Sequence, residues 1–206
     1  MDVILDGKPM PSTSSARTVE ELLAGAIAAR DDRMIVSAHL DGRAIDDEEM
    51  ATLLARPLNT PGHLELATES IRLLTAGALG QAVEALEETR SRHVPIAEHL
   101  AAGRQTEAMT LLAEVLSAWE AADRTLRQAG PLAGLDLSAP TAAGSASNAP
   151  AAHIAACRDT LCRIQHGLAA RDYVEVADVV EHELPGLTDR WQEMLVGLQQ
   201  SLLPTG

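Results

Sequence analysis

The stretch His166-Gly-Leu-Ala-Ala-Arg-Asp-Tyr-Val-Glu-Val-Ala-Asp-Val-Val-Glu-His-Glu-Leu-Pro-Gly-Leu-Thr-Asp-Arg-Trp191 reads as a helix end, a tight turn and a long second helix. Ala170-Arg171 makes the turn, and Asp172 with Glu175 three residues later has the spacing of a capping box. Residues 100–116 echo it at an offset of 68, pairing Leu100 with Leu168, Ala101 with Ala169, Ala102 with Ala170, Glu107 with Glu175 and Leu116 with Leu184. The echo predicts two copies of one helical hairpin.

Working outward, the second hairpin carries Ile154, Cys157, Leu161, Ile164 and Leu168 on a stripe before the turn. After it come Tyr173, Ala177, Val180, Leu184, Leu187, Trp191, Met194 and Leu198, whose alternation of four and three is that of a bundle seam. Pro185-Gly186 predicts a kink or a break, because proline lacks the N–H that the preceding turn needs. The first hairpin carries Leu79, Val83, Leu86, Ala97 and Leu100, ends its first helix at Gly103, and continues from Gln105 to Arg127 with Met109, Leu112, Leu116, Trp119 and Leu126. Pro95 predicts a kink or restart after His93. Residues 129–151 are small, nearly uncharged and rich in Pro, Gly and Ser, which predicts a flexible connection. The expectation is an antiparallel four-helix bundle over residues 70–206, built as hairpin 70–128, linker 129–151 and hairpin 152–203.

The first 69 residues read differently. Residues 2–6 alternate as a strand, Asp6-Gly7 is a two-residue turn signal, and residues 8–11 return as a second strand. Thr18-Val-Glu-Glu21 has the form of a capping box ahead of Val19, Leu22, Leu23, Ala26 and Ile27 at helical spacing, to about Arg30. Residues 33–41 form a third strand, Asp41-Gly42 turns into Arg43 to Ile45, Asp46 to Glu49 opens a short helix from Met50 to Ala55, and residues 63–67 make a last strand.

This order, ββαββ, a short helix and β, with Asp6-Gly7, Thr18 to Glu21 and Asp41-Gly42 at the joints, resembles the β-grasp, or ubiquitin-like, fold. The resemblance covers residues 1–69 and implies a mixed sheet wrapped on a helix, with the exposed sheet face as a docking surface and no catalytic residue. Some members carry sulfur or become protein modifiers through a C-terminal Gly-Gly. Here Ala67-Thr-Glu-Ser70 runs on into further chain, which ends Leu203-Pro-Thr-Gly206, so a carrier role is not expected. The fold class is thus α+β, a β-grasp-like domain followed by an all-α bundle of two similar hairpins.

Composition limits the partners. Of 206 residues, 46% are hydrophobic, yet the aromatics are only Trp119, Trp191 and Tyr173, so aliphatic side chains and Met must fill the core, as they do most readily between helices. The formal charge is −14 and evenly spread, with 13 acids against 6 bases in residues 1–69 and 17 against 10 in residues 70–206. A nucleic-acid or anionic-lipid partner needs clustered Lys and Arg, and the only Lys is Lys8. No apolar run reaches the ~20 residues that span a bilayer, and Met-Asp-Val-Ile-Leu-Asp-Gly lacks the basic and apolar regions of a leader, so a cytoplasmic location is expected. Cys157 and Cys162, five apart on one helix, are expected as reduced thiols.

The candidates for chemistry are few. His153, Cys157, Cys162 and His166 are the residue types of a zinc site. At ~100° per residue, however, they divide into His153 with Cys157 and Cys162 with His166 on opposite sides of one helix. Glu175, Asp178 and His182 share a face that the apolar stripe turns outward, and the Glu-x-x-His pair of di-iron bundles is missing. His93 and His99 read as surface or packing residues. Asp46 to Glu49 lacks the spacing of a calcium loop and suits a helix N-terminus. Gly144-Ser-Ala-Ser-Asn148 is no nucleophile elbow, and no phosphate-binding glycine motif occurs.

The expectation is therefore no enzyme, no cofactor and no metal, but a cytoplasmic interaction or assembly module with a protein partner or a second copy. Contact surfaces are expected on the sheet face around Ile35, Ser37 and His39, or on the bundle near Trp191. The alternatives are an export-type chaperone using the acidic bundle, and a metal-binding protein or enzyme that assembles His153, Cys157, Cys162 and His166 across a subunit interface.

Overall fold

A computed structural model describes residues 1–10, 16–27, 32–137 and 150–204. The chain divides into two compact units, Met1–Leu74 and Thr75–Gly206. It has the expected α+β class, a five-stranded mixed sheet followed by a bundle of long helices.

The first unit contains β1 (Asp2–Leu5), β2 (Lys8–Pro9), α1 (Val19–Ile27), β3 (Arg33–Leu40), β4 (Arg43–Ala44), α2 (Asp47–Leu54) and β5 (His63–Ser70). The sheet order is β2-β1-β5-β3-β4, with β1 and β5 parallel and the other pairs antiparallel, a β-grasp-like arrangement. Both Asp-Gly turns take positive φ at both central residues, Asp6 and Gly7 and then Asp41 and Gly42, the geometry that matches the twist of a two-residue hairpin. Val3, Leu5, Leu64 and Leu66 of the sheet close on Val19, Leu22 and Leu23 of α1 and Leu53 of α2. The Asp6 carboxylate accepts from the Thr68 N–H at 2.7 Å and the Thr68 hydroxyl at 2.8 Å, while Arg33 Nε donates to that hydroxyl oxygen at 2.7 Å.

Three local expectations shift. At α1, Glu21 N–H donates to Thr18 Oγ1 at 3.2 Å, but the Glu21 carboxylate accepts from Arg17 N–H, one residue earlier than a capping box requires. The complete box is at α2, where Asp46 and Glu49 cap each other, so that helix begins at Asp47 rather than Met50. β5 extends to Ser70 because β3 offers partners along its whole length.

The second unit contains α3 (Ile71–Ala101, from Thr75 onward), α4 (Gln105–Leu132), α5 (Pro150–Ala170), α6 (Tyr173–Asp178), a π-helical turn (Val179–Glu183) and α7 (Leu184–Leu202). Pro95 does not end α3, since Ile96, Ala97 and Leu100 beyond it stay buried on the same face. Pro185 acts one turn earlier. Its missing N–H is accommodated by the widened turn, in which Leu184 N–H donates to Val179 O. α4 continues five residues past Arg127, and Ala133 and Leu135 N–H groups then cap its last carbonyls. Residues 138–149 of the expected linker, including Gly144 to Asn148, lie outside the described residues.

The two hairpins share their turn bond for bond at the offset of 68. Gly103 N–H donates to Leu100 O and Arg104 N–H to His99 O; Arg171 N–H donates to Leu168 O and Asp172 N–H to Gly167 O. Each pair is a Schellman motif, closed by a residue of positive φ, Gly103 or Arg171. Beyond the turn, the buried Ala108 and Leu112 match Val176 and Val180. The π turn then adds one residue, so Val115, Trp119, Ala122 and Leu126 match Leu184, Thr188, Trp191 and Leu195 at an offset of 69. Leu184 therefore corresponds to Val115, not to Leu116 as the sequence echo suggests.

Candidate functional site

Quasi-equivalent hairpins produce two quasi-equivalent seams, α3 against α7 and α5 against α4. The first is closed by side chains. Arg90 donates to Glu87 at 2.7 Å, to Asp189, and to Gln192 Oε1 at 2.8 Å. The Gln192 amide donates to Val83 O and to the Glu87 carboxylate, while Gln199 donates to Ala76 O at 3.1 Å. Gly80 makes room for that last contact, because a Cβ there would stand 2.8 Å from Gln199 Nε2.

The second seam keeps the same positions and loses the bonds. Arg158 stands where Arg90 does, Glu120 where Asp189 does and Asp123 where Gln192 does. Ala155 replaces Glu87, and a carboxylate replaces the Gln192 amide, so the donor toward the backbone carbonyl is gone. Glu120 and Asp123 instead accept from Arg124 and Arg127 of their own helix, each at 2.7 Å. Among the described residues Arg158 has no ion-pair partner. The seam stays open as a groove of about 530 Å³, bordered by α4 from Leu116 to Arg127 and by α5 from Ile154 to Leu168.

The floor of this groove is apolar and regular. Ile154, Cys157, Leu161, Ile164 and Leu168 repeat at three and four residues, the a and d positions of a heptad. Cys157 and Ile164 are buried, but Ile154, Leu161 and Leu168 are only half-buried. Their counterparts in α3, namely Leu86, His93 and Leu100, are buried. Trp119 lies behind the groove, edge-on to Trp191 with ring centroids 5.1 Å apart, and its indole N–H has no partner among the described residues.

The residues singled out from the sequence fall as follows. Trp191 is fully buried at 0% exposure and donates to His153 O at 3.1 Å, so it is a core residue and not a contact surface. Its seven-residue-spaced stripe required this. Ile35 packs on the sheet core, whereas Ser37 and His39 face an outer depression beside Ile4 and Glu65. The three do not share a face, because a bulge between Ile35 and Ser37 adds Val36 and inverts the alternation.

His153, Cys157, Cys162 and His166 lie on the single helix α5. Cys157 is buried, with burial and then Asp123 pushing its thiol up to about 12, and Cys162 and His166 are exposed. No cluster of three metal-ligating side chains occurs among the described residues. Glu175 and Glu183 clasp Arg163, and Asp178 and His182 are exposed. His93 is a packing residue, its ring charge disfavoured by burial and then by Arg90. The sequence marked the floor of the groove as a stripe but gave no sign of Arg158, whose meaning depends on the contacts Arg90 makes.

No helix among the described residues is long and apolar enough to cross a membrane. Comparison with protein-family models, with curated proteins and with solved structures finds no match to this chain.

Proposed function

We propose that the protein is a non-enzymatic, cytoplasmic interaction module that holds an amphipathic helix of a partner protein in the groove between α4 and α5. One observation carries this reading. The heptad stripe of α5 is half-buried at Ile154, Leu161 and Leu168, whereas the matching stripe of α3 is buried. An a/d surface is complementary to another helix, and helix-in-groove recognition buries such a row of anchors. Two free thiols, Cys157 and Cys162, accord with a reducing compartment.

The test is site-specific photo-crosslinking in the native cell. A photoreactive amino acid replaces Leu161 in the groove or, as a control, Ser91 on the outer surface of α3, and the adducts are identified by mass spectrometry. The expected result is one dominant protein adduct at position 161 whose crosslinked peptide is helical and amphipathic. Adducts that are the same at both positions, or none at 161, would sink the proposal.

A further inference from the structure

Resting on that docking reading, we infer that the docked helix presents a carboxylate, Asp or Glu, to Arg158, and that this contact selects the partner. The molecule contains its own template for the contact. At the closed seam, an arginine in the same helical position is met by an aspartate from a neighbouring helix, Asp189, with the Gln192 amide oxygen beside it. At the open seam the acids at the two matching positions are turned to other guanidiniums, Glu120 to Arg124 and Asp123 to Arg127. The guanidinium at the lip of an apolar groove is therefore the charge left for a partner to satisfy, and an arginine fork takes a carboxylate in preference to an amide or an ammonium. The apolar floor supplies area, and Arg158 supplies discrimination, since a misplaced lysine there meets like charge.

The length of the groove matches a helix. Its walls run from Leu116 to Arg127 and from Ile154 to Leu168, about three to four turns at 5.4 Å each. Cys162 lies on the wall and is exposed, so occupancy should hide it from alkylation.

The experiment uses the full chain and three synthetic 18-residue helical peptides with leucines at a and d positions. They differ at one residue beside the central leucine, which is Glu, Gln or Lys. Affinity is measured by calorimetry, and occupancy by slowed alkylation of Cys162. The Glu peptide should bind about tenfold tighter than the Lys peptide, and Arg158→Glu, an exposed change, should reverse that order. Equal affinities for the three peptides would overturn the carboxylate contact and leave helix docking standing. Failure of every peptide to bind or to protect Cys162 would overturn both.

Discussion

Gly103 and Arg171, 68 residues apart, close the two hairpin turns with the same left-handed backbone, φ 70° in one and 57° in the other. For glycine this conformation is free of strain; for arginine the Cβ crowds the following carbonyl. Arg171→Gly should therefore stabilise the protein, by about 1 kcal/mol, and Gly103→Ala should destabilise it by about as much. Urea unfolding of both variants measures the two effects, and a loss of stability in Arg171→Gly would contradict the equivalence of the turns.

Gly167 allows α5 and α6 to approach closely. A Cβ there would stand 2.7 Å from Val176 Cγ2 and 3.3 Å from Asp172 O. Gly167→Ala should cost about 1–3 kcal/mol through overpacking. Val176→Ala should recover part of that loss in the double variant even though it is destabilising alone, a coupling that a double-mutant cycle reads directly.

Acid should weaken the bundle through His93. Burial, and then Arg90, lowers its pKa in the fold, so the unfolded chain binds a proton more readily. The stability that neutral His93 retains above the ordinary histidine pKa, ~6.5, is lost as pH falls below it. His153 is shifted in the same direction, by burial and then Arg190, against an opposing contribution from Glu193. Leucine occupies the matching position, Leu161, so His93→Leu should fold. Denaturation midpoints at pH 7.5 and 5.5 should lie closer together in that variant than in the native protein.

The thiols should separate by reactivity. Iodoacetamide at neutral pH should modify Cys162 first and Cys157 only after denaturation, because Cys157 is buried and its thiol is held at about 12. Since the unfolded thiol ionises earlier, near 8.5, stability should decline as pH rises from there toward 12. Cys157→Ala should flatten the alkaline part of that decline.

The open seam should be closable. Ala155→Glu with Asp123→Gln restores the residue types of Glu87 and Gln192 around Arg158. The double variant should gain roughly 0.5–1 kcal/mol, as expected of a partly exposed network, and should slow alkylation of Cys162. An unchanged rate at Cys162 would mean that these residues do not hold the groove open.

Much of this architecture was legible where local chemistry forces a single backbone. Asp6-Gly7 and Asp41-Gly42 announced their turns because few other pairs tolerate positive φ twice in succession. The heptad on α5 was equally plain. What escaped was decided by neighbours. Val36 forms a bulge only in register with β5, so alternation placed Ile35 on the wrong face. Trp191 could be phased onto the seam, yet its depth depends on Trp119 from α4. Arg158 looks like any surface arginine until Arg90 shows what the same position does when its partners are present.

The π turn at Val179–Glu183 carries a consequence for how such a chain can change over generations. In an uninterrupted α-helix one added residue rotates everything beyond it by ~100° and would carry Trp191 out of the core. Here the surplus residue is confined to five positions, and the downstream side chains resume the phase of the sister hairpin. The turn is a splice point, at which one extra residue is absorbed without changing the face that the following helix buries.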